Sequence, residues 1–152
     1  MANDKFFEIE IAGCKRKLPF CEVNENLDIA AFIMFGDTEI TEKSAKELLK
    51  KCPEFDVLIT AECKGIPLCY EMSKQCGKKY IVARKSEKLY MKNSIHVEVK
   101  SITTSKIQKL YLSENDFSEI RNKKILIVDD VISTGESVAA LEELVKKAKG
   151  NI

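Results

Sequence analysis

Apolar positions fall into short runs separated by stretches of helical periodicity. Phe6 to Ile11 alternates loosely between apolar and acidic residues, and Gly13 to Lys17 turns into Leu18-Pro19-Phe20, a pattern that predicts a short hairpin. Residues 28 to 35 are almost wholly apolar and stop at Gly36-Asp37. Thr41 then precedes Ala45, Leu48 and Leu49 at helical spacing, with Pro53 beyond, which predicts a helix over about 41–51. Val57-Leu58-Ile59-Thr60-Ala61 is β-rich, and Ile66, Leu68, Cys69, Tyr70 and Met72 continue as a helix to Gly77. Tyr80 to Ala83 and Lys123 to Val128 are further strands, and Ser137 to Lys149 is an amphipathic helix with Val138, Leu141, Leu144 and Val145 on one side.

Strands without internal charge, separated by helices, predict an α/β fold: an open, mostly parallel twisted sheet flanked by helices. Residues 1–27 read as an appended N-terminal flap and 28–152 as the core of a single domain. Between Lys85 and Leu112 the pattern weakens into three β-like pieces, Lys88–Met91, Ile95–Val99 and Lys106–Leu112, which suggests a mobile, strand-edged loop beside the sheet. The sequence stops at Gly150-Asn151-Ile152, where another strand would begin, so the expectation is either a short domain or a tail beyond it.

Composition narrows the partners. Lys plus Arg number 25 against 24 acids, interspersed, for a net charge of +1, which gives no support to a nucleic-acid partner. No apolar run has the length of a membrane span, and Met-Ala-Asn-Asp-Lys-Phe lacks the cationic start of an export signal; the expectation is a cytoplasmic protein with no membrane partner. Six cysteines have no Cys-x-x-Cys spacing and only His96 to assist a metal, so reduced, mostly buried thiols are expected.

The chemistry concentrates in Ile125-Leu126-Ile127-Val128-Asp129-Asp130-Val131-Ile132-Ser133-Thr134-Gly135-Glu136-Ser137. A buried strand delivers two adjacent carboxylates to its C-terminal end, where ligands settle in open α/β sheets. Gly135 lets the backbone approach a ligand, Ser133, Thr134 and Ser137 offer hydroxyls, and the helix behind supplies free N–H groups and the positive end of its dipole. Such a loop suits a phosphate, and the neighbouring acids suit hydroxyls or a metal. It is neither a Walker loop nor a dinucleotide Gly-x-Gly-x-x-Gly. A phosphate-accepting receiver domain also ends a strand in Asp-Asp, but too little chain follows Asp130 for its later strands.

The run Val128 to Ser137 resembles the phosphoribosyl-pyrophosphate signature of type I phosphoribosyltransferases. Two more stretches resemble the adenine branch: Ala61-Glu62-Cys63-Lys64-Gly65-Ile66-Pro67-Leu68 is similar to its Glu-Ala-Arg-Gly-Phe loop, and Val82 to Leu89 to its Val-Arg-Lys-Pro-Gly-Lys-Leu stretch. The resemblance implies that Asp129 and Asp130 face the ribose hydroxyls, directly or through Mg²⁺. It implies that Ser133, Thr134, Gly135, Glu136 and Ser137 hold the 5-phosphate. Pyrophosphate falls to Glu62, Cys63, Lys64 and Gly65 with Arg84 and Lys88, and the base to Val131, Ile132 and Phe35. The implied substrates are phosphoribosyl pyrophosphate and a purine, adenine favoured, and the implied assembly is a homodimer. Phe32 and Met34 are further candidates beside the base, and His96 reads as a surface strand position.

The chain departs from that pattern twice. Phe35-Gly36-Asp37 stands where the adenine branch has Phe-Arg-Asp, and Ser101-Ile102-Thr103-Thr104 stands where it has Leu-Glu-Tyr-Gly, with Glu98 the nearest upstream acid. A purine phosphoribosyltransferase of nucleotide salvage is the leading expectation. A non-catalytic regulator that binds phosphoribosyl pyrophosphate or a nucleotide is the alternative.

Overall fold

The computed structural model describes residues 6–100 and 107–152. At its centre three parallel strands, β4 (Val57–Ala61), β5 (Tyr80–Ala83) and β8 (Ile125–Ile127), lie in the order β5-β4-β8. Leu58 pairs with Tyr80 on one side and Leu126 on the other. Side chains alternate between the two faces. Val57, Ile59, Ile81, Ala83 and Ile125 enter one core, closed by Leu141, Leu144 and Val145 of helix α4 (Glu136–Lys147). Leu58 and Val128 enter a second core, with Ile40 and Ala45 of helix α1 (Thr38–Lys51) and Leu68, Cys69 and Met72 of helix α2 (Ile66–Cys76). Leu58, Ile59, Leu141 and Leu144 are completely buried, each burial stabilising by about 1.5–3 kcal/mol.

Two antiparallel units flank this centre. Strands β1 (Phe6–Ile11), β2 (Cys14–Asn24) and β3 (Leu27–Ala30) form an N-terminal sheet. Strands β6 (Ile95–Lys100) and β7 (Ile107–Leu112) form a hairpin whose Tyr111 exchanges backbone hydrogen bonds of 2.8 and 2.9 Å with Arg84 at the end of β5. Among the described residues no helix is long and apolar enough to cross a membrane.

Several expectations need correction. The flap is not merely appended: Cys14 is 2% exposed inside the second core, and β3 runs across the 27/28 boundary. Helix α1 starts at Thr38, three residues before the expected start, because the Asp37 carboxylate accepts the Ile40 N–H and caps it. Lys88–Met91 is a turn, with Met91 N–H donating to the Lys88 carbonyl at 2.9 Å, and not a strand. A helix that the apolar pattern misses, α3 (Glu114–Ile120), is nucleated by a capping box in which Ser113 and Asp116 satisfy each other's backbone N–H. The cysteines are free, but only Cys14 and Cys69 are buried; Cys21 and Cys63 are exposed. Asn151 pairs in parallel with Lys124 beside β8.

Candidate functional site

Three parallel strands end on the same side, and the loops after them meet. Val128 N–H donates to the Ile59 carbonyl at 2.8 Å, which carries the ladder one residue past β8 before the chain turns off at Asp129. Glu62 N–H likewise donates to the Ala83 carbonyl at 2.9 Å. The loops 61–65, 84–85 and 129–130 therefore converge at the C-terminal edge of the sheet.

The convergence opens a cavity of about 450 Å³ lined by Ile29 to Ile33, Ala61 to Lys64, Lys85, Leu110, Asp129 to Val131, Ser133 and Ser137. A smaller hollow of about 80 Å³ continues from Asp129 along Val131 to Val138. Gly135 sits there at φ +81° at the start of α4, and no side chain caps that helix end, so its first N–H groups are presented to the hollow.

Gly65 is fixed by close packing. A Cβ there would lie 2.4 Å from Thr60 Oγ1 and 3.3 Å from the Asp129 Cα, so only glycine lets loop 61–65 nest against the acidic turn. The Glu62–Cys63 peptide is cis. Glu62 ties two loops together: Oε2 accepts the Lys85 N–H at 3.0 Å and Oε1 faces Arg84 Nη2 at 3.3 Å. The Lys85 N–H, then the Arg84, Lys88 and Lys85 charges, hold the Glu62 carboxyl below the usual glutamate range.

The acidic pair has a different environment. Burial, followed by the side chain of Asp130, pushes Asp129 up to about 6, opposed by the Asp130 N–H donated to Asp129 Oδ1 at 2.9 Å and by the Lys85 charge. Asp130 Oδ2 is buried without a hydrogen-bond partner. A lone buried carboxylate oxygen beside a half-buried acid is a cation or hydroxyl acceptor in waiting. Among the described residues no three ligating side chains cluster, yet Mg²⁺ is usually held by one or two carboxylates together with substrate oxygens. Asp129 and Asp130 fit that mode.

Of the residues singled out from the sequence, the larger cavity brings together Glu62, Cys63, Lys64, Asp129, Asp130, Val131, Ser133 and Ser137, and the smaller adds Ile132, Thr134, Gly135 and Glu136. Gly65 packs beneath them. Phe32 also lines the larger cavity. Four lie outside the lining: Arg84 pairs with Glu62, Lys88 donates to Ser86 Oγ at 2.7 Å, Phe35 is 49% exposed on a turn, and Met34 is buried in the second core. Lys85, which sequence reasoning passed over between them, lines the cavity in their place. Leu110 and Ile29 to Ala31 were also missed, and only tertiary packing brings them in. Glu98 pairs with Lys109 at 2.6 Å and does not line the cavity. Residues Ser101 to Thr104 lie outside the described residues.

Xanthine phosphoribosyltransferases from Bacillus cereus and Bacillus mycoides are each 29% identical over 119 residues, covering 76% of this chain and 59% of theirs. The chain thus spans under two thirds of the length of these curated relatives. Among solved structures, adenine phosphoribosyltransferase from Thermoanaerobacter pseudethanolicus superposes with TM-score 0.71 at 18% identity, over 97% of this chain and 78% of that one. The Saccharomyces cerevisiae enzyme, complexed with an imino-altritol bisphosphate and adenine, gives TM-score 0.71 at 19% identity, covering 97% and 79%. These likenesses establish the fold. The family model for the phosphoribosyl transferase domain matches residues 35–152, so the chain belongs to that family.

Proposed function

We propose that the protein transfers the 5-phosphoribosyl group from phosphoribosyl pyrophosphate to a purine base and releases pyrophosphate, in nucleotide salvage. The observation that carries this reading is the buried, unpartnered Asp130 Oδ2 beside Asp129 at the mouth of the hollow under α4. With the 5-phosphate against the N–H groups and hydroxyls of 133–137, the ribose hydroxyls fall to the two carboxylates. Pyrophosphate then lies toward Lys64 and Lys85.

Breaking the C1–oxygen bond builds positive charge on the ribose and negative charge on the leaving group. Asp129 and Asp130 stabilise the first, and the two lysines and the backbone of loop 62–65 the second, so no covalent nucleophile is required. When bound, Mg²⁺ would be held by Asp129 and Asp130 with substrate oxygens and would supply further neutralisation of charge on the leaving group. The wall Ala31–Phe32–Ile33 and Val131 offer apolar surface against which a purine can pack. The proposal extends to a cytoplasmic homodimer, as the family resemblance implies.

Adenine and xanthine both remain in the proposal, because the structural neighbours are adenine enzymes and the curated relatives xanthine enzymes. The test is pyrophosphate release from phosphoribosyl pyrophosphate and Mg²⁺ with adenine, xanthine, hypoxanthine or guanine in turn. Release with one base is the expected outcome. A regulator that binds without transfer is the second reading, favoured by the engagement of Glu98 with Lys109 outside the cavity. Tight binding of phosphoribosyl pyrophosphate with no release for any base would select it.

A further inference from the structure

One wall of the cavity is strung between two points on a single strand. Residues 29–33 line the cavity, and from Ala31 to Met34 the backbone is in neither helix nor strand. At the near end Phe20 pairs with Ala30, and the Ala31 N–H donates to the Pro19 carbonyl at 2.9 Å. At the far end Met34 is buried, and its carbonyl accepts the Asp37 N–H at 3.1 Å across Phe35 and Gly36. Gly36 has φ +80°, the positive value that the third residue of a type II turn demands.

Asp37 is then gripped by Arg16. Its Nε reaches Asp37 Oδ2 at 2.5 Å and its Nη2 reaches Oδ1 at 2.9 Å, while Nη2 also meets Glu39 Oε2 at 2.9 Å. Arg16 and Pro19 stand three residues apart on β2, so one strand holds both ends of the wall. The fork geometry matters, because a planar guanidinium fixes a carboxylate in orientation as well as distance, which an ammonium cannot do.

We infer that Arg16 is a positioning residue for the base: by anchoring Asp37 it fixes the height of segment 31–36 over the cavity and so sets affinity for the base portion of the ligand. The identity of that ligand rests on the transferase reading above. The selectivity follows from connectivity. Asp129, Asp130, Lys64, Lys85 and the 133–137 loop hang on β4, β5, β8 and their helices, and none contacts Arg16 through its hydrogen bonds. Loosening the anchor therefore moves the wall and leaves the phosphate-binding side untouched.

The experiment titrates full-length wild type, Arg16→Gln and Arg16→Lys with AMP, IMP, GMP and XMP, and with ribose 5-phosphate as the probe lacking a base. Whichever nucleotides the wild type binds should weaken by about tenfold or more in Arg16→Gln, since sub-ångström misplacement is costly, while ribose 5-phosphate holds within about twofold. Arg16→Lys should fall between, and serves alone if Arg16→Gln does not fold. In turnover, KM for the base should rise while KM for phosphoribosyl pyrophosphate stays constant. Hydrogen exchange supplies an arm independent of activity: the Asp37 amide, which donates to the Met34 carbonyl across the turn, should lose protection in Arg16→Gln, and those of α2 and α4 should not. Equal weakening of nucleotide and ribose 5-phosphate, or of neither, overturns the inference. If wild type binds no nucleotide, the transferase reading fails on its own, and unchanged exchange at the Asp37 amide still overturns the positioning role.

Discussion

The floor and the wall of the cavity are built by opposite means. The floor is the frayed end of a buried parallel sheet: loops 61–65 and 129–130 are locked by a glycine with no room for a methyl group and by Glu62 tying its neighbours. The wall runs on from an antiparallel sheet and has much apolar surface in the open, Phe20 and Ile29 of the sheet and Ile33 beyond it being 43%, 47% and 57% exposed. Its far end is fixed by an ion pair whose side chains are themselves about a quarter exposed, 28% and 29%. The floor carries the charges, Glu62, Lys64, Lys85, Asp129 and Asp130; the wall, Ile29 to Ile33, carries none. In the proposed reaction, the groups that would stabilise charge at fixed points sit on the more tightly locked side. The surface that would meet a flat, uncharged base sits where small shifts tune fit at little cost to the fold.

The largest effect should come from emptying the floor of its acids. Asp129→Asn with Asp130→Asn should lower turnover by at least about a thousandfold, while the protein still melts in one cooperative step, because in the proposed reaction the pair serves chemistry and not packing. Steady-state pyrophosphate release and circular dichroism check the two halves. Turnover within tenfold of wild type would dissolve the contrast between floor and wall.

Next comes a pair of glycines, one on each side. Gly65→Ala forces a methyl group against the completely buried Thr60 and the Asp129 backbone, and should cost about 1–3 kcal/mol in urea denaturation. It should also shift Asp129 enough to depress activity. Gly36→Ala meets nothing within 4 Å and is penalised only by its φ of +80°, about 1–2 kcal/mol, with the loss falling on the base and not on phosphate ligands. A Gly65→Ala protein that keeps full activity would show that the nesting of the two loops is slack.

This contrast also governs what the sequence shows. The floor is legible because its requirements are local: an uncharged strand, two acids and a small-residue loop before a helix must be consecutive, and Val128 to Ser137 is consecutive. The core strands are legible for the same reason, since Val57–Ala61 and Tyr80–Ala83 show their burial in their own composition. Helix α3 stayed hidden because its start rests on the Ser113–Asp116 capping box and only Ile120 among its residues is buried. The wall is assembled across the chain, from Pro19 to Ala31 and from Arg16 to Asp37, and no window of sequence contains both ends. The resemblance points to Arg84 and Lys88, but adjacent residues after a strand point to opposite sides, and with Arg84 engaged by Glu62 and paired through its backbone with Tyr111 it is Lys85 that lines the cavity.

A smaller effect separates the two ends of the floor. Lys64 lines the cavity on the loop before α2, away from the hollow under α4. Lys64→Ala should therefore weaken phosphoribosyl pyrophosphate by about tenfold, the worth of one charge-assisted contact. A nucleoside monophosphate, which lacks the pyrophosphate, should change by no more than about twofold. Calorimetric titration of both ligands decides it, and equal weakening would place Lys64 elsewhere on the ligand.

The smallest effect is on stability, and its sign is the informative part. Asp129 titrates near 6 in the folded protein because burial and Asp130 disfavour its charge, against an ordinary value of 3.8. Between those values the folded state holds a proton that the unfolded state has released, so stability falls as pH rises toward 6 and stays lowered above it. Asp129→Asn removes that penalty while its amide oxygen can still accept the Asp130 N–H. It should raise Tm by roughly 3–6 °C at pH 8 and by almost nothing at about pH 3, below both values, where both states of the wild type are largely protonated. Mg²⁺ with phosphoribosyl pyrophosphate should then narrow the gap at pH 8, because ligands that favour the charged carboxylate stabilise wild type more than the variant. A variant less stable than wild type at pH 8 would mean that Asp129 is held for packing. A more stable but inactive one means that the floor gives up stability in order to hold charge where the reaction develops it.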